Sequence, residues 1–279
     1  MKGFGKQDKF KKKYINNKSN KLSKEQIIYQ AFKFHSEQNI SEAAKYYQYL
    51  IDQEYKDHRV FSNYGVILKN KGKLQEAESL LRKAIELNPE YATAHYNLGN
   101  TLKDLGKVAE AESSLLQAIE LKSDYTDAHL NLGLIFKNIG KLQEAELSTR
   151  KAIELNPNYA DAHNNLGLIF KDLGKLQEAE VSYRKAIEIN SNFAEAHSNL
   201  GIIFKDLGKL EEAEISYRKA IKLNPDLENA HFNLGNVLIE QGKLKAGKIS
   251  YCKAIELNPN CAEVHSNLGN TMKDLGSLK

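Results

Sequence analysis

The chain has 279 residues, 41% of them apolar and 27% charged, and 40 basic against 36 acidic side chains give a formal net charge of +4. That is the balance of a soluble folded protein, and the charge is too small to mark the whole chain as a nucleic-acid binder. The two cysteines, Cys252 and Cys261, exclude a disulfide scaffold and point to a reducing, cytoplasmic setting. No run approaches the roughly 18 consecutive apolar residues of a membrane helix, and the basic N-terminus has no apolar core behind it to make a secretory signal.

Residues 1–23 hold eight lysines and one acid, Asp8. Such a Lys- and Asn-rich segment buries too little apolar area to order itself, so it is expected to be a disordered basic tail. Its run Phe10-Lys11-Lys12-Lys13-Tyr14-Ile15 could touch nucleic acid or an anionic surface, but it is short and irregular, and nucleic acid is not the expected partner.

From Lys24 onward glycine and proline fall into a strict rhythm. All four prolines, Pro89, Pro157, Pro225 and Pro259, are separated by multiples of 34 residues. Fourteen of the 17 glycines fall in two series of the same spacing, one starting at Gly65 and the other at Gly72. With position 1 of the unit at Lys24, His58, Ala92, Thr126, Ala160, Ala194, Glu228 and Ala262, the chain reads as a degenerate first unit over 24–57, six regular units over 58–261 and a truncated eighth over 262–279.

Each unit reads as two helices. In the unit starting at Ala160, His163, Leu166, Gly167 and Phe170 recur at i, i+3, i+4, i+7, one helical stripe. Leu176, Ala179, Tyr183, Ala186 and Ile187 form the apolar face of a second helix. Glycine at position 15 separates the two, because it readily takes the left-handed conformation that ends a helix. Asn-Pro at positions 31 and 32 stops the second helix, and Asn or Asp at position 33 is expected to cap the next one. In the first unit Ala31 and Gln38 stand where the others have glycine, and Tyr55 stands where proline is usual.

This pattern resembles the tetratricopeptide repeat over 24–279. The resemblance implies an all-α fold, a right-handed superhelical solenoid of helix-turn-helix repeats, with first helices lining a concave inner surface and second helices the convex outside. The family's usual Trp at position 4 is replaced by histidine in six units.

Signatures of catalysis are missing from the sequence: H-E-x-x-H, C-x-x-C, G-x-S-x-G and the phosphate loop do not occur. The chain is therefore expected to be no enzyme, with no cofactor and no metal. His95, His129, His163, His197, His231 and His265 all occupy position 4. Equivalent positions on stacked helices lie about 8–10 Å apart, while the ligands of one metal sit ~2 Å from it, so these rings are expected to fill the place of Trp as half-buried packing groups.

Two other rows stand out. Position 6 is asparagine in Asn63, Asn97, Asn131, Asn165, Asn199, Asn233 and Asn267. Asparagine is a poor residue for a helix interior, because its side chain competes for backbone groups. A row of amides, each both donor and acceptor, could hold an extended peptide by its backbone. The alternative is that these amides bond between adjacent helices and serve stacking only. Position 12 is lysine in Lys69, Lys103, Lys137, Lys171, Lys205 and Lys273. The first five are expected to act as an accessory basic row that weakly attracts acidic partners. Tyr96, Leu130, Asn164, Ser198 and Phe232 at position 5 are expected to supply side-chain selectivity. They do not form the Lys-Arg pair by which chaperone-tail grooves clamp a carboxylate.

The run A-H-x-N-L-G at 94–99, 128–133, 162–167 and 196–201, followed by G-K-L-x-E-A in most units, is similar to the repeat half of O-linked N-acetylglucosamine transferases. In that family an asparagine ladder binds substrate backbones, and the asparagines here occupy the same repeat position. Repeat proteins of this composition are also fused to glycosyl- or sulfotransferase domains in bacteria. The expected function is thus a non-catalytic scaffold binding an extended protein segment. The alternative is the substrate-recruiting half of a transferase whose catalytic part is not in this chain. The oligomeric state is not legible from the sequence.

Overall fold

The computed structural model describes residues 23–276. The basic segment expected at 1–23 lies outside the described residues except for Ser23, which caps the first helix by accepting from the backbone N–H of Gln26. Among the described residues there are fifteen α-helices and no strands. They are α1 (Lys24–Ser36), α2 (Ile40–Asp52), α3 (His58–Asn70), α4 (Leu74–Leu87), α5 (Ala92–Asp104), α6 (Val108–Leu121), α7 (Thr126–Asn138), α8 (Leu142–Leu155), α9 (Ala160–Asp172), α10 (Leu176–Ile189), α11 (Ala194–Asp206), α12 (Leu210–Leu223), α13 (Glu228–Glu240), α14 (Leu244–Leu257) and α15 (Ala262–Asp274). The fold is an all-α helical-repeat solenoid. The chain divides into two compact units, residues 1–135 and 136–279.

Within a hairpin the two helices meet at position 8. A Cβ built on Gly167 of α9 would lie 2.6 Å from Cε1 of Tyr183 on α10, and Tyr217 crowds Gly201 in the same way. In the first unit of the fold Leu81 and Leu115 take the same place against Gly65 and Gly99. Ala179 and Ala186 flank this contact and are fully buried. The large ring therefore enters the first helix because glycine leaves room, and the small residues let the helix backbones approach.

The turn glycines behave as expected, Gly174 having φ of 74°. The degenerate first repeat meets the same requirement with the wrong residue. Gln38, at the turn position, has φ of 59°, and Glu54 at the end of α2 has φ of 55°, a region that costs an L-residue roughly 1–2 kcal/mol.

The expected cap at position 33 is not the one observed. The N-cap is the following residue, Tyr159 before α9 or Phe193 before α11, and its side chain makes no cap bond. Asparagine at position 31 shapes the turn instead: Oδ1 of Asn156 accepts from the N–H of Asn158 at 3.2 Å, and Asn190 does the same for Asn192 at 3.1 Å. An Asx turn is the local alternative that a short amide offers once the helix has ended. The turn is fastened by the histidine row. Nε2 of His163 lies 2.9 Å from the carbonyl oxygen of Pro157, and His95, His129, His197, His231 and His265 make the equivalent contact. Carbonyl acceptors require Nε2 to carry a proton, so each imidazole acts as a donor tying a helix's first turn to the loop before it.

Successive second helices are joined by a charge triad that the sequence analysis did not single out. Glu78 on α4 bonds Arg82 one turn on at 2.9 Å and Lys107, at the start of α6, at 2.9 Å. In residues 136–279 the triad recurs as Glu146–Arg150–Lys175, Glu180–Arg184–Lys209 and Glu214–Arg218–Lys243. Phe170 lies between two of these cations, Arg150 at 5.3 Å and Lys175 at 5.5 Å from its ring centre. Phe204 is held likewise by Arg184 and Lys209.

Two predictions follow from position 8 and from the charges. Gly167→Ala gains about 1 kcal/mol of helix propensity but overpacks against Tyr183, which costs about 1–3 kcal/mol; thermal unfolding should show a net loss. Gly269→Ala at the same repeat position meets nothing within 4 Å, so hydrogen exchange in α15 should instead slow. For pH, bonds from Lys107 and Lys243 hold the Glu78 and Glu214 carboxyls below their usual range. At Glu146 and Glu180 burial works the other way, but their Arg and Lys partners outweigh it. A depressed folded value means stabilisation that is whole above the unfolded glutamate range and is lost as pH falls through the folded values. Burial lowers His35 and His197 below the usual 6.5, so they add an earlier loss as pH falls through 6.5 toward their folded values. Melting temperature against pH should thus fall in two limbs, and Glu180→Gln should shrink only the more acidic one.

Candidate functional site

The accessible stripe of each first helix runs through positions 2, 6, 9 and 13, a spacing of four, three and four that keeps one helical face. All seven asparagines of position 6 lie on it and are half-buried. In residues 1–135, Nδ2 of Asn63 donates to the Tyr47 hydroxyl at 3.2 Å and Nδ2 of Asn97 to Oγ of Ser62 at 3.3 Å. Asn131 donates to the Tyr96 hydroxyl at 3.2 Å and to Oδ1 of Asn100 at 2.9 Å. In residues 136–279, Asn199 donates to Oδ1 of Asn164 at 3.0 Å and Asn267 to Oδ1 of Asn236 at 3.1 Å. These are bonds between repeats, as the stacking alternative requires, and each uses the amide nitrogen. Asn165 and Asn233 make no such bond among the described residues. Before Asn233 the preceding helix offers Ile202 where α13 offers Asn236 to Asn267, and Ser198, at the position from which Ser62 accepts from Asn97, is buried with no partner for its Oγ among the described residues.

The position 5 residues do not act together as a selectivity row. Leu130 and Ser198 are 5% and 1% exposed, and Asn164 is 8% exposed with its carbonyl oxygen taken by Asn199. They point into the helix packing because position 5 lies one residue off the accessible stripe. Tyr96 and Phe232 are half-buried and keep some surface. Tyr96 stacks at 4.7 Å between ring centres on Tyr125, and Phe232 lies 6.1 Å from Tyr251. Burial raises the Tyr96 hydroxyl above its ordinary pKa and pushes Tyr125 up to about 12.

The residues that the sequence analysis passed over are those of position 9. Val66 and Leu134 in the first unit of the fold, and Leu168 and Ile202 in the second, are half-buried three residues beyond an asparagine. They place aliphatic surface beside four of the seven amides, while Asn97, Asn233 and Asn267 are followed at this position by Asn100, Asn236 and Asn270. Counting i+3 from the asparagines would have found them.

The lysine row also differs from expectation. Nζ of Lys69 pairs with Asp104 at 3.0 Å, and Nζ of Lys137 with Asp172 at 3.2 Å, the acid at position 13 of the following repeat. Lys103, Lys171 and Lys205 are half-buried in the same register. In residues 136–279 the accessible stripe itself carries Asp161, Glu195, Asp206 and Glu240. The row therefore does not make this face basic; where paired, it joins one repeat to the next.

Cys252 and Cys261 are free thiols. Among the described residues no group of three or more His, Cys, Asp and Glu is placed to hold a metal ion, and no helix is long and apolar enough to cross a membrane.

Solved structures of like architecture place the fold among known ones. The crystal structure of the APC/C hetero-tetramer Cut9-Hcn1 superposes with a TM-score of 0.75 at 16% identity, covering 87% of this chain and 48% of that one. A tetratricopeptide repeat protein from Parabacteroides merdae ATCC 43184 gives 0.69 at 19% identity, covering 89% of this chain and 98% of its own. YrrB, a TPR protein with an unusual peptide-binding site, gives 0.54 at 26% identity over 67% of this chain and 97% of its own. The chain spans about half the length of the Cut9-Hcn1 chain it matches. A search of curated protein sequences gave no match. The TPR repeat family model matches residues 65–106, 99–140, 167–208 and 202–242. Further tetratricopeptide repeat models match 126–159, 149–181 and 228–261, and the chain belongs to the tetratricopeptide repeat family.

Proposed function

We propose that this chain is a non-catalytic protein-interaction scaffold that holds an extended segment of a partner protein along its first-helix face. The observation that carries the reading is the pair Asn165 and Asn233. An asparagine inside a helix costs about 0.5 kcal/mol or more against alanine. At Asn63, Asn97, Asn131, Asn199 and Asn267 a bond between repeats offsets that cost. At Asn165 and Asn233 no internal bond offsets it, and the whole amide is left for a ligand. Along the rest of the row the NH2 group is used internally, but the carbonyl oxygen remains to accept a partner's backbone N–H. Leu168 and Ile202 beside the amides supply apolar contact, and Tyr96 and Phe232 supply what side-chain selectivity position 5 retains. The likeness to YrrB, which has a peptide-binding site, supports the reading.

The run A-H-x-N-L-G supports a second reading, in which the same face recruits acceptor segments for a glycosyltransferase, O-linked N-acetylglucosamine transferase-like, or another transferase. Recruitment would then use the same amides, and partners captured on this face would become modified in the presence of that enzyme.

Because Asn165 and Asn233 have no structural bond to lose, they allow a clean test. The double variant Asn165→Ala, Asn233→Ala should keep its helicity and, relieved of two uncompensated helix-interior amides, melt no lower than the intact chain. Its affinity for an extended peptide selected on the intact chain should fall by about 1–3 kcal/mol, the worth of two backbone bonds. Titration calorimetry showing unchanged affinity would remove the amides from the mechanism.

A further inference from the structure

Two lysines break the charge pattern of the second helices, and both line the same groove. Position 29 is glutamate in five of the six regular repeats, from Glu86 to Glu256, but on α12 it is Lys222. Position 21 is glutamate in five of the six, from Glu78 to Glu214, but on α14 it is Lys248. The glutamates have partners where they occur. Glu188 at position 29 bonds Lys185 at 2.7 Å, and Glu180 at position 21 centres the triad with Arg184 and Lys209. Each reversal therefore gives up ion pairs that the array makes elsewhere.

The groove has a volume of about 580 Å³ and lies among α12, α13 and α14, with Ile221, Leu234 and Ile249 as its apolar lining. Cys252 stands at position 25, where four of the other five regular repeats carry arginine, and its shorter side chain leaves the space open. Four cations line it, Arg218, Lys222, Lys248 and Lys253. Arg218 is bonded to Glu214 at 2.8 Å, and Lys253 to Glu256, the one acid of the lining, at 2.9 Å. Lys253 also feels Asp226. Among the described residues Lys222 and Lys248 form no ion pair. Arg82, at the position of Arg218, reaches a second acid, Glu110, in the following repeat, but for Arg218 that place is taken by Ala246. The groove thus carries positive charge that its own acids leave unbalanced.

We propose that this groove binds an acidic segment of a partner protein, which sets an aliphatic side chain on Ile221 and Leu234 and carboxylates at Lys222 and Lys248. An apolar lining with a few convergent charges is the usual build of a ligand cleft. The groove is open to solvent, which suits a segment that continues beyond it rather than a small molecule that must be enclosed. An ammonium is a compact point charge that takes a carboxylate from many directions, so acidity and one apolar residue are what the site selects. Nucleic acid fits less well, because no tyrosine or phenylalanine lines the groove to stack on a base. The site uses no residue of the asparagine row, so the scaffold could hold a second segment here while the first-helix face is filled.

Fluorescence anisotropy on the full chain tests this, with a short labelled peptide of leucine and aspartate as probe and one of leucine and lysine as control. The intact chain should prefer the acidic peptide, and its affinity should fall as salt is raised. Lys222→Glu with Lys248→Glu puts back the residue that the other repeats hold, so circular dichroism should stay unchanged while acidic-peptide affinity drops about ten-fold. Ile249→Ser, which copies Ser79 and Ser113, should lower it a few-fold by removing apolar contact. No preference for the acidic peptide, an affinity indifferent to the double charge reversal, or tighter binding of a single-stranded oligonucleotide would overturn the proposal. Asn165→Ala with Asn233→Ala should leave this affinity as it is, so the groove and the first-helix face can fail separately.

Discussion

The tightest constraint in each hairpin is the approach of two helices at position 8. Where Tyr183 lies on Gly167, the ring occupies the space that any Cβ would need. Once that contact is made, the small residues Ala179 and Ala186 have no route to solvent and the two helices share one core. Every position not drawn into that core is left on one of two stripes, one along the first helices and one along the second.

Stacking then draws on polar groups as well as apolar ones. The histidines tie each first helix to the preceding loop through Nε2, and the Glu-Arg-Lys triads join consecutive second helices. The asparagine row takes part in this stacking. Five amides donate to the preceding repeat and so set the register of stacking. Because a stacking bond uses the NH2 group and leaves the carbonyl oxygen, stacking and ligand binding are not exclusive uses of one residue. The same holds less well for lysine: an ammonium drawn to Asp104 or Asp172 has little field left for a partner.

The 34-residue rhythm made the hairpins, their boundaries and the small-residue contacts legible before any coordinates, because glycine and proline act on the backbone directly. What was not legible depends on rotation about the helix axis. Position 5 was expected to face a ligand, yet Leu130 and Ser198 face inward, a difference of one residue and about 100°. Lys69 was expected to attract an acidic partner, yet its ammonium meets Asp104, 35 residues away in the next repeat. A cap was expected from position 33, yet the N-cap is position 34 and the side-chain bond is an Asx turn made by Asn at position 31, which depends on the path the chain takes after the helix stops. The glutamate triads escaped notice for the same reason as the lysine pairs, as one of their contacts spans 29 residues.

A repeat array also provides an internal control for what packing demands. Positions 3, 8, 20 and 27 hold small residues in nearly every regular repeat because the hairpin contact tolerates little else. Position 22 is under no such demand, being solvent-facing in both halves of the chain, and there the residues differ: Ser79 and Ser113 in one, Leu147, Val181, Ile215 and Ile249 in the other. Exposed aliphatic surface is unfavourable in water and gains nothing from the core. Its presence on four successive repeats is therefore explained by something outside the hairpin. The asparagines make the same argument on the other face, since Asn165 and Asn233 bear the cost of a helix-interior amide with no internal bond. In both cases the residue that packing leaves unexplained is the one that points to a partner.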